Sequence, residues 1–222
     1  MGIPRGDRHP HGERPPVRGG RPLGDADGAM ILVHGRGADA ADILGLTQSW
    51  AAPGFAYLAP EAAGRSWYPQ SFLAPTEQNQ PGLDSALARL GELMAEIEAA
   101  GVPTDRTVLL GFSQGACLSL EFAARNPRRY GGVVALSGGL IGPPGGLVDH
   151  AGDLGGTPVF LGCSDRDPHI PRWRVEESAA AMESLGAEVE MRIYPGMPHT
   201  VNLDEVKWVR GLLSTLEHTG PS

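Results

Sequence analysis

Along the chain, the apolar residues switch repeatedly between short continuous or alternating runs and helical recurrence. Ala29–His34 (AMILVH) is an unbroken apolar run that ends in the Gly-rich GRGADAAD. Over Ala38–Trp50, Ile43, Leu44, Leu46 and Trp50 fall at helical spacing behind Asp39, a residue type that caps helix N-termini. GFAYLAP reads as a second strand, ended by Pro60. Asp84–Ala100 predicts a helix with Leu87, Leu90, Leu93, Met94 and Ile97 on one face and Gly101 as its stop. RTVLLGF predicts the next strand and Gln114–Arg125 the next helix, closed by Asn126-Pro127. GGVVALSG and TPVFLGC are two further buried strands. Arg174–Leu185 is helical, AEVEMRIYP alternates as a strand, and Asp204–His218 forms an amphipathic helix.

Strands alternating with helices predict an α/β fold, with a mainly parallel central sheet covered by helices on both faces. A chain of 222 residues suits one domain with a substantial core, and no repeat or linker divides it. The start, MGIPRGDRHPHGER, is expected to be a flexible tail over residues 1–14, followed by a single domain over 15–222.

Composition narrows the partners. Gly (32) and Pro (20) are numerous but gather in the first residues and around Gly138–Gly156, marking loops. A formal charge of −8 with no basic stripe argues against nucleic acid. No stretch approaches the roughly 18–20 apolar residues of a transmembrane helix. The N-terminus has no apolar core of the kind a signal peptide carries, so a cytoplasmic protein is expected. Cys117 and Cys163 sit in apolar runs and read as buried free thiols. The expected partner is a small molecule, and the sequence leaves room for a homodimer.

In sheets of this class, functional groups gather at the carboxyl ends of the strands. The loops found there hold His34-Gly35-Arg36-Gly37, Ser113-Gln114, Ser164-Asp165-Arg166-Asp167 and Pro195–Thr200. GFSQG matches G-x-S-x-G with a strand before it and a helix after it. In that setting Gly111 and Gly115 relieve clashes in a sharp turn, and Ser113 is displayed as a candidate nucleophile. A plain glycine-bounded turn with a serine N-cap is the competing reading.

A serine hydroxyl needs a base, and the base needs an orienting carboxylate. His199 follows the last strand, where the order Ser, acid, His requires the base; His169 and His34 are rivals. Asp165 and Asp167 are the candidate acids. Pro168 restrains the turn and favours Asp167, although both aspartates could simply close Asx turns. The candidate oxyanion donors are the backbone N–H groups of Gln114 and Arg36. No ligand spacing predicts a metal, no G-x-G-x-x-G follows a strand, and the serine loop has no phosphate-binding lysine. No cofactor is expected. Cys117 lies inside a helix and reads as a packed thiol.

The stretches ILVHGRGADAADIL, SWYPQSF, LLGFSQGACLSLEFAARNPRRYGGVVALSGGLIG, GTPVFLGCSDRDPHIP and IYPGMPHTVN resemble the carboxylesterase/phospholipase branch of the α/β-hydrolases. That group also contains the acyl-protein thioesterases. The resemblance runs from about Met30 to the last helix and rests on GFSQGA and MPHT in combination. It implies the α/β-hydrolase fold without a large lid, with Ser113, His199 and Asp167 as catalytic triad and the Arg36 and Gln114 amides as oxyanion hole. It places Trp67-Tyr68 near the acyl pocket and implies further N-terminal strands, of which PVRGGRPL supplies one. An open groove lined by Trp67, Tyr68, Phe72 and Leu73 is then expected, although core packing is an equal reading of Phe72. The implied activity is hydrolysis of small soluble esters with short to medium acyl chains. Thioester or lysophospholipid hydrolysis on the same triad is the nearest alternative, and a non-catalytic binding protein is the alternative of another class.

Overall fold

Alternate residues of each central strand face two different layers. In β2 (Gly28–Val33), Ala29, Ile31 and Val33 join one core cluster while Met30 and Leu32 join the other. The same division separates Leu109 from Val108 and Leu110 in β4 (Thr107–Phe112). It also separates Val133 and Ala135 from Val134 and Leu136 in β5 (Gly132–Leu136), and Val159 and Leu161 from Phe160 in β6 (Pro158–Ser164). Strands buried on both faces carry apolar residues toward both, which is why these segments read as near-continuous runs. The structure, a computed structural model, describes residues 10–12, 14–50 and 52–218.

With β1 (Val17–Gly20), β3 (Phe55–Ala59) and β7 (Glu188–Tyr194), these strands form one sheet in the order β1-β3-β2-β4-β5-β6-β7. All neighbours are parallel except β1, which runs antiparallel to β3 with Val17 opposite Ala59. Among the described residues, VRGG is the one strand that precedes β2. Helices α2 (Gly82–Ala99), α3 (Gln114–Arg125) and α4 (Arg172–Ser184) cover one face. Helices α1 (Ala40–Gly45) and α5 (Leu203–His218) cover the other. The chain leaves β2 toward β3 and leaves β4 toward β5, in opposite directions and onto opposite faces. That reversal opens a crevice beyond the ends of β2 and β4.

Some local boundaries differ from the sequence pattern. Asp39 caps α1 in a reciprocal capping box with Asp42, as its residue type predicts. The helix then gives way at Gly45 to a tighter 3-10 turn over Leu46–Ser49 instead of running to Trp50. Gly, Thr and Ser are weak helix formers, and Thr47 Oγ1 bonds back to the Leu44 carbonyl at 2.8 Å. Helix α2 begins at Gly82, two residues before Asp84.

The expected tail over residues 1–14 lies partly outside the described residues. Within them, His11 is buried and Arg14 offers its carbonyl to the Arg89 guanidinium at 3.0 Å. The docked chain therefore starts earlier than residue 15, because the His11 ring has polar partners waiting in the core. No helix among the described residues is long and apolar enough to cross a membrane.

Candidate active site

Strand β4 ends at Phe112 and α3 starts at Gln114, so Ser113 alone makes the turn. It does so at φ 54° and ψ −117°, a conformation that costs a non-glycine residue roughly 1–3 kcal/mol. Its N–H donates to the Leu136 carbonyl at 2.9 Å, and its carbonyl accepts from the Cys117 N–H at 3.1 Å. The two flanking glycines are sterically required. A Cβ on Gly111 would lie 2.2 Å from the Gly115 carbonyl, and one on Gly115 would lie 2.0 Å from the Val33 carbonyl oxygen. Helix α3 thus presses backbone to backbone against β2 and β4, and Ser113 is pushed up into the crevice.

There Ser113 Oγ meets His199 Nε2 at 2.9 Å, and His199 Nδ1 meets Asp167 Oδ2 at 2.7 Å. The other Asp167 oxygen accepts the backbone N–H groups of His169 and Ile170 at 2.9 and 3.0 Å. Burial alone would raise the Asp167 pKa, but the bonds from His199 and these two amides outweigh it and hold the carboxyl below the usual range. An Nδ1–H donated to this carboxylate leaves the Nε2 lone pair facing the Ser113 hydroxyl, the tautomer that accepts its proton. The His199 ring is held between Phe112 and His169, each with its ring centroid 4.9 Å away.

The rival residues have other work. Asp165 accepts the Gly196 N–H at 2.7 Å and so braces the loop that carries His199. His34 is fully buried; its Nε2 accepts from the Ala62 N–H at 3.1 Å, which leaves Nδ1 to donate to the Gly35 carbonyl at 2.7 Å. Cys117 faces the crevice floor one turn beyond Ser113, but burial pushes its thiol up to about 12, far from the thiolate a nucleophile needs.

The loop after β2 runs against the serine: a Cβ on Gly35 would touch Ser113 Cβ at 3.4 Å. Arg36 and Gln114 therefore border the same groove as Ser113 and His199, a cleft of about 470 Å³. Gln114 is also the first residue of α3, where backbone N–H groups lack helical partners. The groove's outer wall is formed by Tyr68 and Phe72. Trp67 and Leu73, expected beside them, are not on it. Trp67 is fully buried behind the wall because its indole N–H finds the His34 carbonyl at 2.9 Å. Leu73 packs against the core.

The sequence pattern missed how this wall is fixed. The Arg36 guanidinium donates to the carbonyls of Pro69, Tyr68 and Gln70 at 2.9, 2.9 and 2.6 Å. The Gln114 side chain accepts from the Trp67 N–H at 2.9 Å and donates to the Tyr68 carbonyl at 2.8 Å. His11 bridges the Trp67 carbonyl at 2.9 Å and the Ala63 N–H at 3.0 Å. Both candidate oxyanion residues therefore also hold the pocket loop with their side chains. The one signal in the sequence was the presence of long polar side chains at two positions where only the backbone is needed.

Residues 21–217 match the Phospholipase/Carboxylesterase family. Acyl-protein thioesterase 1 of Yarrowia lipolytica is 31% identical over 145 residues, 64% of this chain and 64% of that protein. The putative esterase NocK of Nocardia uniformis is 31% identical over 182 residues, 78% of this chain and 48% of that protein. The matches thus span about half to two thirds of the length of these curated relatives. The solved phospholipase/carboxylesterase of Dyadobacter fermentans is 46% identical with a TM-score of 0.86, covering 89% of this chain and 95% of that one.

Proposed function

The chain belongs to the phospholipase/carboxylesterase family, and on that premise we propose that it is a serine carboxylesterase cleaving small, soluble esters with short to medium acyl chains. The observation that carries this reading is the unbroken hydrogen-bonded line from Ser113 through His199 to Asp167 at the edge of an open groove.

In the proposed cycle Ser113 Oγ attacks the ester carbonyl carbon while its proton passes to His199 Nε2. The carbonyl electron pair moves onto oxygen, and the backbone N–H groups of Arg36 and Gln114 stabilise the alkoxide. Asp167 balances the imidazolium charge through the Nδ1 bond. Collapse of the tetrahedral intermediate breaks the carbon–oxygen bond to the leaving group, which takes the Nε2 proton and departs as an alcohol. Water then gives a proton to Nε2 as it attacks the acyl-enzyme. The second collapse returns that proton to Ser113 and releases the carboxylic acid, so ester and water become acid and alcohol.

The groove volume and the absence of a lid among the described residues support small, soluble substrates over lipid droplets. The buried free thiols Cys117 and Cys163 support a reducing, cytoplasmic setting. Graded p-nitrophenyl esters test the reading. Wild type is expected to favour short to medium acyl chains, and Ser113→Ala to lose activity by at least about 1,000-fold. A wild type inactive on the whole series overturns the esterase reading, and an unchanged Ser113→Ala overturns the nucleophile. The Yarrowia relative's name supports a second reading, thioester cleavage on the same residues. Matched ester and thioester substrates decide which is cleaved faster.

A further inference from the structure

We propose that the alcohol portion of the substrate lies in a second groove beside His199, which selects leaving groups that are apolar and carry no negative charge. The proposal deepens the serine-esterase reading and rests on it.

This second groove, about 350 Å³, shares Gly35, Ala38, Phe112 and His199 with the first, so the two adjoin at the catalytic histidine. Ser113, Arg36 and Gln114 border only the first. Reaction geometry then sorts the substrate between them. The tetrahedral carbon carries Oγ, the oxyanion, the acyl chain and the leaving oxygen. The oxyanion belongs with the Arg36 and Gln114 amides, and the acyl chain follows Tyr68 and Phe72 along the first groove. The leaving oxygen must take a proton from His199 Nε2, so its substituent points toward the His199 segment, whose Thr200 and Val201 wall the second groove.

The chemistry of that groove is consistent along its length. Ile43 and Leu46 from α1 and the turn after it, with Phe112 and Val201 opposite, give an apolar floor. Asp42 stands at the rim, its carboxylate also accepting the Asp39 N–H at 3.0 Å. Glu61 lies close by, accepting the Ala40 N–H at 2.9 Å, and no lysine or arginine lines the groove among the described residues. A phosphate-bearing or carboxylate-bearing alcohol would meet like charge there, whereas an alkyl or aryl alcohol would bury its carbons. Sequence reading missed the groove because Ile43 and Leu46 look like ordinary core positions of an amphipathic helix.

Two ester series test it. The first pairs acetate with methanol, 1-butanol and 1-hexanol; the second pairs methanol with acetate, butyrate and hexanoate. For the wild type, kcat/KM in the first series should rise by up to about fourfold per buried methylene. Leu46→Gln makes the floor polar and Val201→Trp fills it. Both positions are half-buried, and thermal melts report whether each variant folds. Each variant is expected to lose about tenfold or more on hexyl acetate, while the methyl-ester series stays within about twofold of wild type. Asp42→Asn should raise activity severalfold on the acetate of a carboxylate-bearing alcohol and leave hexyl acetate unchanged. If the methyl-ester series falls instead, or neither folded variant changes either series, the groove assignment is overturned while the esterase reading stands. An Asp42→Asn variant with unaltered charge selectivity overturns the charge rule. A wild type that hydrolyses neither series overturns the esterase reading, and this assignment falls with it.

Discussion

Asp167→Asn isolates what the buried carboxylate does, because the replacement keeps its shape. An asparagine presents one oxygen and one NH2 group where Asp167 presents two oxygens. If the amide oxygen faces the His169 and Ile170 N–H groups, those two bonds at 2.9 and 3.0 Å survive. The NH2 then faces His199 Nδ1, which must give up its hydrogen. The imidazole proton moves to Nε2, pointing at Ser113 Oγ, and His199 cannot accept the serine proton. Flipping the amide restores the Nδ1 bond but aims NH2 at two N–H donors. A buried donor left without an acceptor costs about 1–3 kcal/mol; Ile170 is buried and His169 exposed, so the flip costs roughly 2 kcal/mol. That limits the productive tautomer to about 1 in 30 molecules. Loss of the negative charge from a group 2.7 Å from the imidazolium adds to the barrier. Together these put kcat about 1,000- to 10,000-fold below wild type. The assay is kcat on p-nitrophenyl butyrate, with a thermal melt to show that the variant is folded. Asp165→Asn, which disturbs only the Gly196 contact, should lose less than about tenfold. The reasoning is refuted if Asp165→Asn proves the worse variant, or if Asp167→Asn keeps more than about a tenth of wild-type kcat.

Two other residues give sharp expectations. Arg36→Met removes the guanidinium from the Tyr68, Pro69 and Gln70 carbonyls but keeps the backbone N–H. KM should therefore rise severalfold and acyl-length preference flatten, with kcat changed less, and Arg36→Lys should not rescue it because a point charge lacks the planar fork; a fall confined to kcat would contradict this. Burial pushes the Glu205 carboxyl up from an ordinary 4.5 to about 7, so the native state keeps a proton that the unfolded chain gives up. Its stabilising effect is complete below about pH 4.5 and is lost as pH rises to about 7, a difference of roughly 3 kcal/mol. Glu205→Gln should flatten the melting-temperature profile over that window, and parallel profiles for both proteins would reject the account.

Much of this molecule could be read from its pattern, for identifiable reasons. Strands covered on both faces carry apolar residues toward both, so β2, β4, β5 and β6 stand out as near-continuous runs. The turn at Ser113 demands glycine at Gly111 and Gly115, and that demand is visible as G-x-S-x-G. The choice of Asp167 over Asp165 rests on a neighbouring proline and on the family resemblance; in the structure His199 Nδ1 lies 2.7 Å from Asp167 Oδ2. Trp67 was misplaced because an aromatic ring serves a groove wall and a core equally well, and only a partner for its N–H decides between them. His11 was read as tail because a single histidine among prolines and glycines has no periodicity; its partners lie 52 to 74 residues away in the chain. The Arg36 guanidinium was overlooked for a similar reason, since the carbonyls it holds belong to a loop more than 30 residues distant.

The two outer strands of the sheet have a consequence for self-association. On one side, β1 is only four residues long and half glycine, with Gly20 at φ 71°. On the other, β7 carries Glu188, Glu190 and Arg192, and the last two are tied to α5 through Trp208 Nε1 and Asp204. A short, kinked margin and a charged one give a foreign strand no long flat template on which to add. Among the described residues, neither edge of the sheet favours lateral growth, so association of a second copy through helix or loop surfaces is favoured over strand pairing. Crowded or concentrated solutions of the folded protein should accordingly resist the strand-by-strand polymerisation to which open parallel sheets are prone.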